Sequence, residues 1–222
     1  LRKVIPAFLK RVDLDDRGIA WSRYLAETRE ATAEVSAKFT EGAEPGHRET
    51  VTLTDYDPLG EEKVVAAAMY ASSDLPDDRL QSLAHTMSPD ERDAVLSAYV
   101  GERGNRRHKP GRAFERTGYR FDVLCDYGAF RDLQRHRLLT LEWQRLSPEH
   151  GFDTPDVIAD AGMTEEWNRV MEDSAATWAT LSEHAGEDVA QYSVAMAYRI
   201  RFVMQMSARE AMHLIELRSS PQ

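Results

Sequence analysis

Arg135, His136 and Arg137 stand side by side in the stretch LQRHRLLTLEWQRLS, residues 133–147. Two guanidiniums flanking an imidazole form a donor set suited to an anion with several oxygens, such as a phosphate. On a helix the two arginines would diverge by about 200°, whereas in an extended chain they would share a face. Cations also gain at a helix C-terminus, so the triplet could equally cap a helix; spacing alone leaves both readings open. The triplet closes a basic island. Residues 103–137 hold ten Lys/Arg and four Asp/Glu, a local charge of +6 in a chain of net charge −10, so the remainder carries −16. The overall acidity argues against a nucleic-acid polymer as partner. A basic island in an acidic chain points to a small phosphate-bearing ligand, with an arginine-rich solvated surface as the plainer alternative.

Other chemistries find less support. The seven histidines (47, 85, 108, 136, 150, 184 and 213) form no HExxH and no two-histidine helical pair, and no metal site is expected. Neither GxGxxG nor GxxxxGK[ST] occurs, and there is no GxSxG. The lone Cys125 falls in a strand-like stretch, a weak setting for a nucleophile. One cysteine allows no intrachain disulfide and fits a reducing cytoplasm. No run of about 18 apolar residues is present, so no membrane span is expected. The opening LRKVIPAFLKRVDLDD has no initiator Met and no long apolar run, which suggests an internal fragment of a longer protein and no signal peptide.

The elements that must position these residues follow from periodicity. Residues 21–39 place Trp21, Leu25, Thr28, Thr32, Val35 and Phe39 on one helical stripe, and that stripe needs a partner surface. A polar Gly/Pro stretch over 40–49 reads as a linker. TVTLTDY from Thr50 is strand-like, 61–72 helical, and 88–101 a helix with Ser88 at its cap, Pro89 in its first turn and Gly101 at its end. TGYRFDVLC (117–125) alternates as a strand, and YGAFRDLQRHRLLTLEW (127–143) reads as a helix that could end near the triplet. Thr164 is expected to cap a long helix through about residue 185. Ile200, Phe202, Met204 and Met206 alternate in a strand as core packing, and residues 208–218 close as a helix. The class is α+β, helix-rich, with a small mixed or antiparallel sheet. Residues 1–49 form an N-terminal helical extension and linker, and 50–222 the main domain.

Three blocks carry a resemblance. VTLTDYDPLGEEKVVAAAMYAS, then GRAFERTGYRFDVLCDYGAFRDLQRHR, then SAREAMHLIELR occur in the order found in the flavin-dependent thymidylate synthases, from about residue 50 to 218. The chain resembles that family, as a divergent member or one domain of a tandem protein whose C-terminal part is cut short. The resemblance implies FAD as cofactor, dUMP or a related pyrimidine nucleotide as substrate, and NADPH and methylenetetrahydrofolate as co-substrates. It also implies a homo-oligomer, in the family a homotetramer, or a related tandem domain completing each site.

Carried over residue by residue, the resemblance makes Arg135, His136, Arg137, Ser207, Arg209 and His213 flavin contacts. Arg218 becomes the catalytic residue that polarises the pyrimidine, and Glu142, Ser147 and Arg218 become substrate contacts. There are departures. The family's Ser seven residues beyond the triplet is Arg145 here, with Ser147 two places late. Trp143 replaces a Glu, with Glu142 one place earlier. Two phosphate-binding Arg positions hold Ser147 and Gln191, a His position holds Arg116, and Asp132 replaces a Gln before the triplet. Three functions therefore stand side by side: FAD-dependent methylation of dUMP to dTMP, a degenerate domain serving assembly, or a flavoprotein methylating another pyrimidine.

Overall fold

In the computed structural model the described residues are 1–10, 12, 14, 17–44 and 49–219. They form two compact units, 1–47 and 48–222. The first holds a short helix α1 (Pro6–Leu9) and the long α2 (Gly18–Thr40). The helical period read over 21–39 is present. No residue of α2 is buried, and Trp21, Leu25, Val35 and Phe39 are all exposed. The linker read at 40–49 lies partly outside the described residues.

The second unit runs β1 (Val51–Tyr56), α3 (Gly60–Tyr70), α4 (Asp77–Thr86), α5 (Pro89–Val100), β2 (Gly118–Asp126), α6 (Tyr127–Leu133), β3 (Thr140–Trp143), α7 (Asp156–Asp160), α8 (Thr164–Ala185), α9 (Glu187–Ala190), β4 (Arg199–Ser207) and α10 (Ala208–Arg218). Its four strands make one sheet in the order β1-β2-β4-β3, every pair antiparallel. The α+β class read from the sequence is the class of the fold. No helix among the described residues is long and apolar enough to cross a membrane.

Strand alternation sets the core. Val123 lies opposite Phe202, Phe121 opposite Met204 and Cys125 opposite Ile200. One face of β4 therefore buries Ile200, Phe202, Met204 and Met206 against Phe130, Leu146, Met171 and Tyr198. The alternating Met positions are core packing, as expected. A second, smaller core joins α3 to α4 through Val65, Ala66, Leu80 and Ala84, with Val95 and Leu96 of α5 against it.

Two local expectations need correction, and one helix is added. Residues 140–143 are strand, not the end of a helix from 127. A helix would turn Leu141 and Trp143 about 200° apart, whereas the strand puts both on the face opposite Met204 and Phe202. Thr164 is the first residue of α8 and caps nothing, since the cap position is Met163 with no side-chain cap. The sequence reading passed over α4, whose Leu80 and Ala84 are its only buried residues. At α5 the signal was complete: Ser88 and Glu91 form a full capping box, and Pro89 opens the helix.

The segment after α5 returns to the sheet through one close approach. Ala113 N–H donates to the Tyr99 hydroxyl at 3.1 Å, and a Cβ on Gly111 would meet that same oxygen at 2.1 Å. Glycine at 111 lets the loop lie against Tyr99, which leaves the carbonyl of Pro110 facing α10.

Phe130 is fully buried, with ring contacts to Tyr127, Trp143 and Phe202. Phe130→Ala is expected to lower unfolding free energy by about 3–5 kcal/mol in urea denaturation. Phe39→Ala, at a residue 84% exposed, should move it by no more than about 0.5 kcal/mol.

Candidate functional site

The basic triplet lies in the turn that follows α6. Arg135 N–H donates to the Asp132 carbonyl at 3.3 Å and His136 N–H to that of Leu133 at 3.0 Å. This tight turn is neither helix nor strand, and the three side chains part company. His136 is buried, while Arg135 and Arg137 are exposed.

Helix α10 supplies the partners of the buried imidazole. His136 Nδ1 is 3.0 Å from Glu210 Oε1, with only 3% and 4% of the two side chains exposed. Arg218 Nε donates to His136 Nε2 at 3.2 Å. Its Nη2 donates to the Asp132 carbonyl at 2.6 Å, and its Nη1 lies 3.6 Å from the Asp132 carboxylate. Glu210 and His213, three residues apart, are neighbours on one face of α10, and Arg218 reaches the same imidazole from the helix's last residue. The ring of His213 stands edge-on to His136 at 5.8 Å between centroids. The outcome is a chain of carboxylate, imidazole, guanidinium and carboxylate tying the end of α6 to α10.

Two histidines far apart in sequence thus come together. One ligand atom from each of His136, Glu210 and His213 lies within 4.8 Å of the others, a donor set suited to a borderline divalent cation. The surrounding hydrogen bonds oppose ligation in this arrangement. A metal-bound imidazole turns its other nitrogen, carrying a proton, to an acceptor, but His136 faces a carboxylate on one side and an arginine N–H on the other.

Beside this chain lies a cavity of about 120 Å³, lined by Lys109, Leu138, Arg209, Glu210 and His213 among others. Arg209 donates from Nε to the Pro110 carbonyl at 3.0 Å and from Nη1 to Glu115 at 3.2 Å. Glu115 also accepts from Arg112 at 2.9 Å. The hydrogen bond from Arg112, aided by the Arg209 charge, holds the Glu115 carboxyl below the usual carboxylate range. Among the described residues no acid pairs with Lys109 or Arg137, and Arg135 has only a 3.6 Å approach to Asp132.

The other expected site residues lie elsewhere or serve the backbone. The Ser207 hydroxyl caps α10, accepting from Glu210 N–H at 3.3 Å. Glu142 sits on β3 opposite Val203, on the sheet face away from the core. Ser147 caps the short turn Pro148–His150. Arg145 donates to both Glu187, at 2.8 Å, and Asp188, at 3.1 Å. Gln191 Oε1 accepts from Leu146 N–H at 3.0 Å. Segments 145–147 and 187–191 are therefore neighbours, and the cation between them is already matched by two carboxylates.

Sequence reasoning missed Glu210 as a site residue and treated Asp132 only as a departure. The available signal was ambiguous, because SARE at 207–210 has the Ser-x-x-Glu form of a capping box. Half of that box is present. The other half is replaced by the contact to His136.

The family model described as thymidylate synthase complementing protein matches residues 52–222. UPF0159 proteins of Chlamydia pneumoniae and Chlamydia muridarum are 36% and 33% identical over 223 residues, covering all of this chain and 42% of each relative. One of Thermoplasma acidophilum is 39% identical over 187 residues, covering 83% of this chain and 37% of its own length. The chain thus spans about two fifths of the length of these relatives. Among solved structures, the flavin-dependent thymidylate synthase of Helicobacter pylori complexed with FAD and dUMP aligns at a TM-score of 0.52 and 18% identity, over 78% of this chain and 86% of that one. A second crystal structure of that enzyme gives 0.54 and 19% over 78% and 85%. At these identities the likeness is one of fold.

Cys125 stands apart from this chemistry. Burial, seconded by the negative Asp126, pushes its thiol up to about 11, so it stays protonated and unreactive at neutral pH. Iodoacetamide at pH 8 should alkylate the native protein about a hundredfold more slowly than the urea-unfolded chain, read by mass spectrometry.

Proposed function

The chain belongs to the thymidylate synthase complementing protein family, and on that premise we propose that it binds FAD and methylates a pyrimidine nucleotide, dUMP being the first candidate. Methylenetetrahydrofolate would supply the carbon and NADPH the electrons. The observation that carries the reading is convergence. Arg218 meets His136 across 82 residues of sequence, and Arg209 and His213 line the cavity beside them. Residues singled out by two separate blocks, 111–137 and 207–218, come together at one place.

The donor set suits the cofactor's anionic part. Arg135 and Arg137 are exposed, and with Lys109 at the cavity they offer cations to a pyrophosphate. Arg209 and His213 would flank it, and the Ser207 hydroxyl, already capping α10, has a lone pair left. FAD, once bound, supplies the reducing equivalents that turn a transferred one-carbon unit into a methyl group. His136 serves by holding Arg218, whose remaining N–H groups would polarise a pyrimidine carbonyl. The cavity of about 120 Å³ is far below the roughly 300–1,000 Å³ of ligand pockets. A second copy of the chain, or a related domain of a longer one, would complete the pocket in a cytoplasmic homo-oligomer or tandem assembly.

One observation favours a second reading. Arg145 is held by Glu187 and Asp188 beside Ser147 and Gln191, an acidic setting for the positions to which the resemblance assigns nucleotide phosphate. A flavoprotein acting on another pyrimidine, or a domain without turnover, fits that charge better than a typical dUMP enzyme. Glu142 and Ser147 are proposed as substrate contacts only if the nucleotide reaches β3.

Purified protein should carry the visible absorption of an oxidised flavin or acquire it on titration with FAD. Replacing Arg135 and Arg137 by Ala should weaken FAD binding at least about thirtyfold, or about 2 kcal/mol, with an unchanged circular dichroism spectrum. Titration with dUMP then separates the readings: saturable binding supports the methylation of dUMP. Absence of FAD binding at high micromolar cofactor would remove the flavin reading altogether.

A further inference from the structure

Glu210 has no part in the proposed reaction, yet it is the most deeply buried carboxylate of the site, 4% exposed. Its sequence would let it serve only the helix. In the equivalent Ser-x-x-Glu of α5, Glu91 folds back to accept from Ser88 N–H at 2.8 Å. Glu210 instead reaches 74 residues back along the chain to His136. Removing a carboxylate from water is costly unless its oxygens find donors, so the contact has to be made well.

The chemistry of the contact decides where a proton sits. An ionised carboxylate only accepts, so the nitrogen facing it, Nδ1, must carry the hydrogen. A guanidinium only donates, so Nε2, facing Arg218 Nε at 3.2 Å, must present its lone pair. The opposite tautomer would set N–H against N–H on one side and leave a lone pair against a carboxylate on the other. Both neighbours therefore demand the same neutral imidazole. Arg218 is in turn anchored at its Nη2 by the Asp132 carbonyl and approached at Nη1 by the Asp132 carboxylate. Contacts at three of its nitrogens fix the plane of a side chain that otherwise has many rotamers.

We propose that Glu210 is a positioning residue: it locks His136 in its Nδ1–H tautomer and, through that imidazole, sets the plane in which Arg218 offers its remaining N–H groups to an oxygen-bearing ligand. The consequence for a nucleotide rests on the function proposed above. The tautomer does not.

The test is a long-range proton–nitrogen correlation spectrum of protein carrying nitrogen-15 histidine, in which protonated and unprotonated ring nitrogens have separate shifts. His136 is assigned by its loss in His136→Asn. The expected result is a proton on Nδ1 throughout neutral pH. A proton on Nε2 overturns the proposal. Joint shifts of His136 and His213 on addition of zinc chloride also overturn it, because the triad is then a metal site. Glu210→Gln can present either an oxygen or an NH2 group to the ring, leaving Arg218 alone to favour the Nδ1 proton, so a minor Nε2–H population should appear and dUMP affinity should fall about tenfold, the value of one hydrogen bond to a charged group. Unchanged tautomer and affinity in that variant count against the proposal. If Glu210→Gln does not fold, Arg218→Lys, which lacks Nε, takes its place: the Nε2 resonance should move while the proton stays on Nδ1, and an unmoved resonance overturns the proposal. Failure of wild-type protein to bind FAD or dUMP removes the enzymatic reading, while the wild-type spectrum still decides the role of Glu210.

Discussion

A carboxylate and an imidazole face each other across 3.0 Å with almost no access to water, and the architecture around them is arranged to make that meeting possible. Glu210 hangs from α10, which continues β4, and His136 from the turn after α6, which continues β2. In the β2–β4 ladder Asp126 lies opposite Arg199 and Gly118 opposite Ser207. The two helices therefore leave opposite ends of one antiparallel pair. Only the long central ladder, nine residues in each strand, fixes the distance between their starting points, and the buried pair joins them again.

The parts of this scheme legible in sequence are those written in a single period. β2, β4, α8 and α10 each repeat apolar residues often enough to declare their type, and the Ser88 box marks the start of α5 chemically. Strand β3 was hidden because four residues following a helical pattern give too short an alternation to break it. Its identity comes from pairing with β4, a partner some sixty residues away. Helix α4 was hidden because two buried residues, Leu80 and Ala84, make too thin a stripe. At the site, Arg135, His136, Arg137, Arg209 and Arg218 were legible as a resemblance in motif. Glu210 and Asp132 were not, since what each holds is decided by side chains 74 and 86 residues distant, and no local pattern records that.

Charge completes the picture. The basic island of the sequence is not a uniform patch in three dimensions. Arg209 and Arg112 share the one carboxylate of Glu115, Arg120 meets Asp55, and Arg103 meets Glu216 at 2.5 Å. The cations left without an acid among the described residues include Lys109 and Arg137, one lining the cavity and the other next in sequence to its Leu138. The unpaired positive charge is therefore small and local, in a chain whose net charge is strongly negative.

The register of β2 against β4 acquires a second guardian from the site. A slip of one residue exposes the apolar face and is rejected by the core. A slip of two restores the inward and outward alternation, so the core by itself discriminates weakly against it. Such an error would displace the start of α6 by about 7 Å along the ladder, carry His136 away from Glu210 and strand a carboxylate in an apolar interior. The same pair that orders the candidate site thus acts as an error check on strand pairing, rejecting the misfold that hydrophobic patterning lets through.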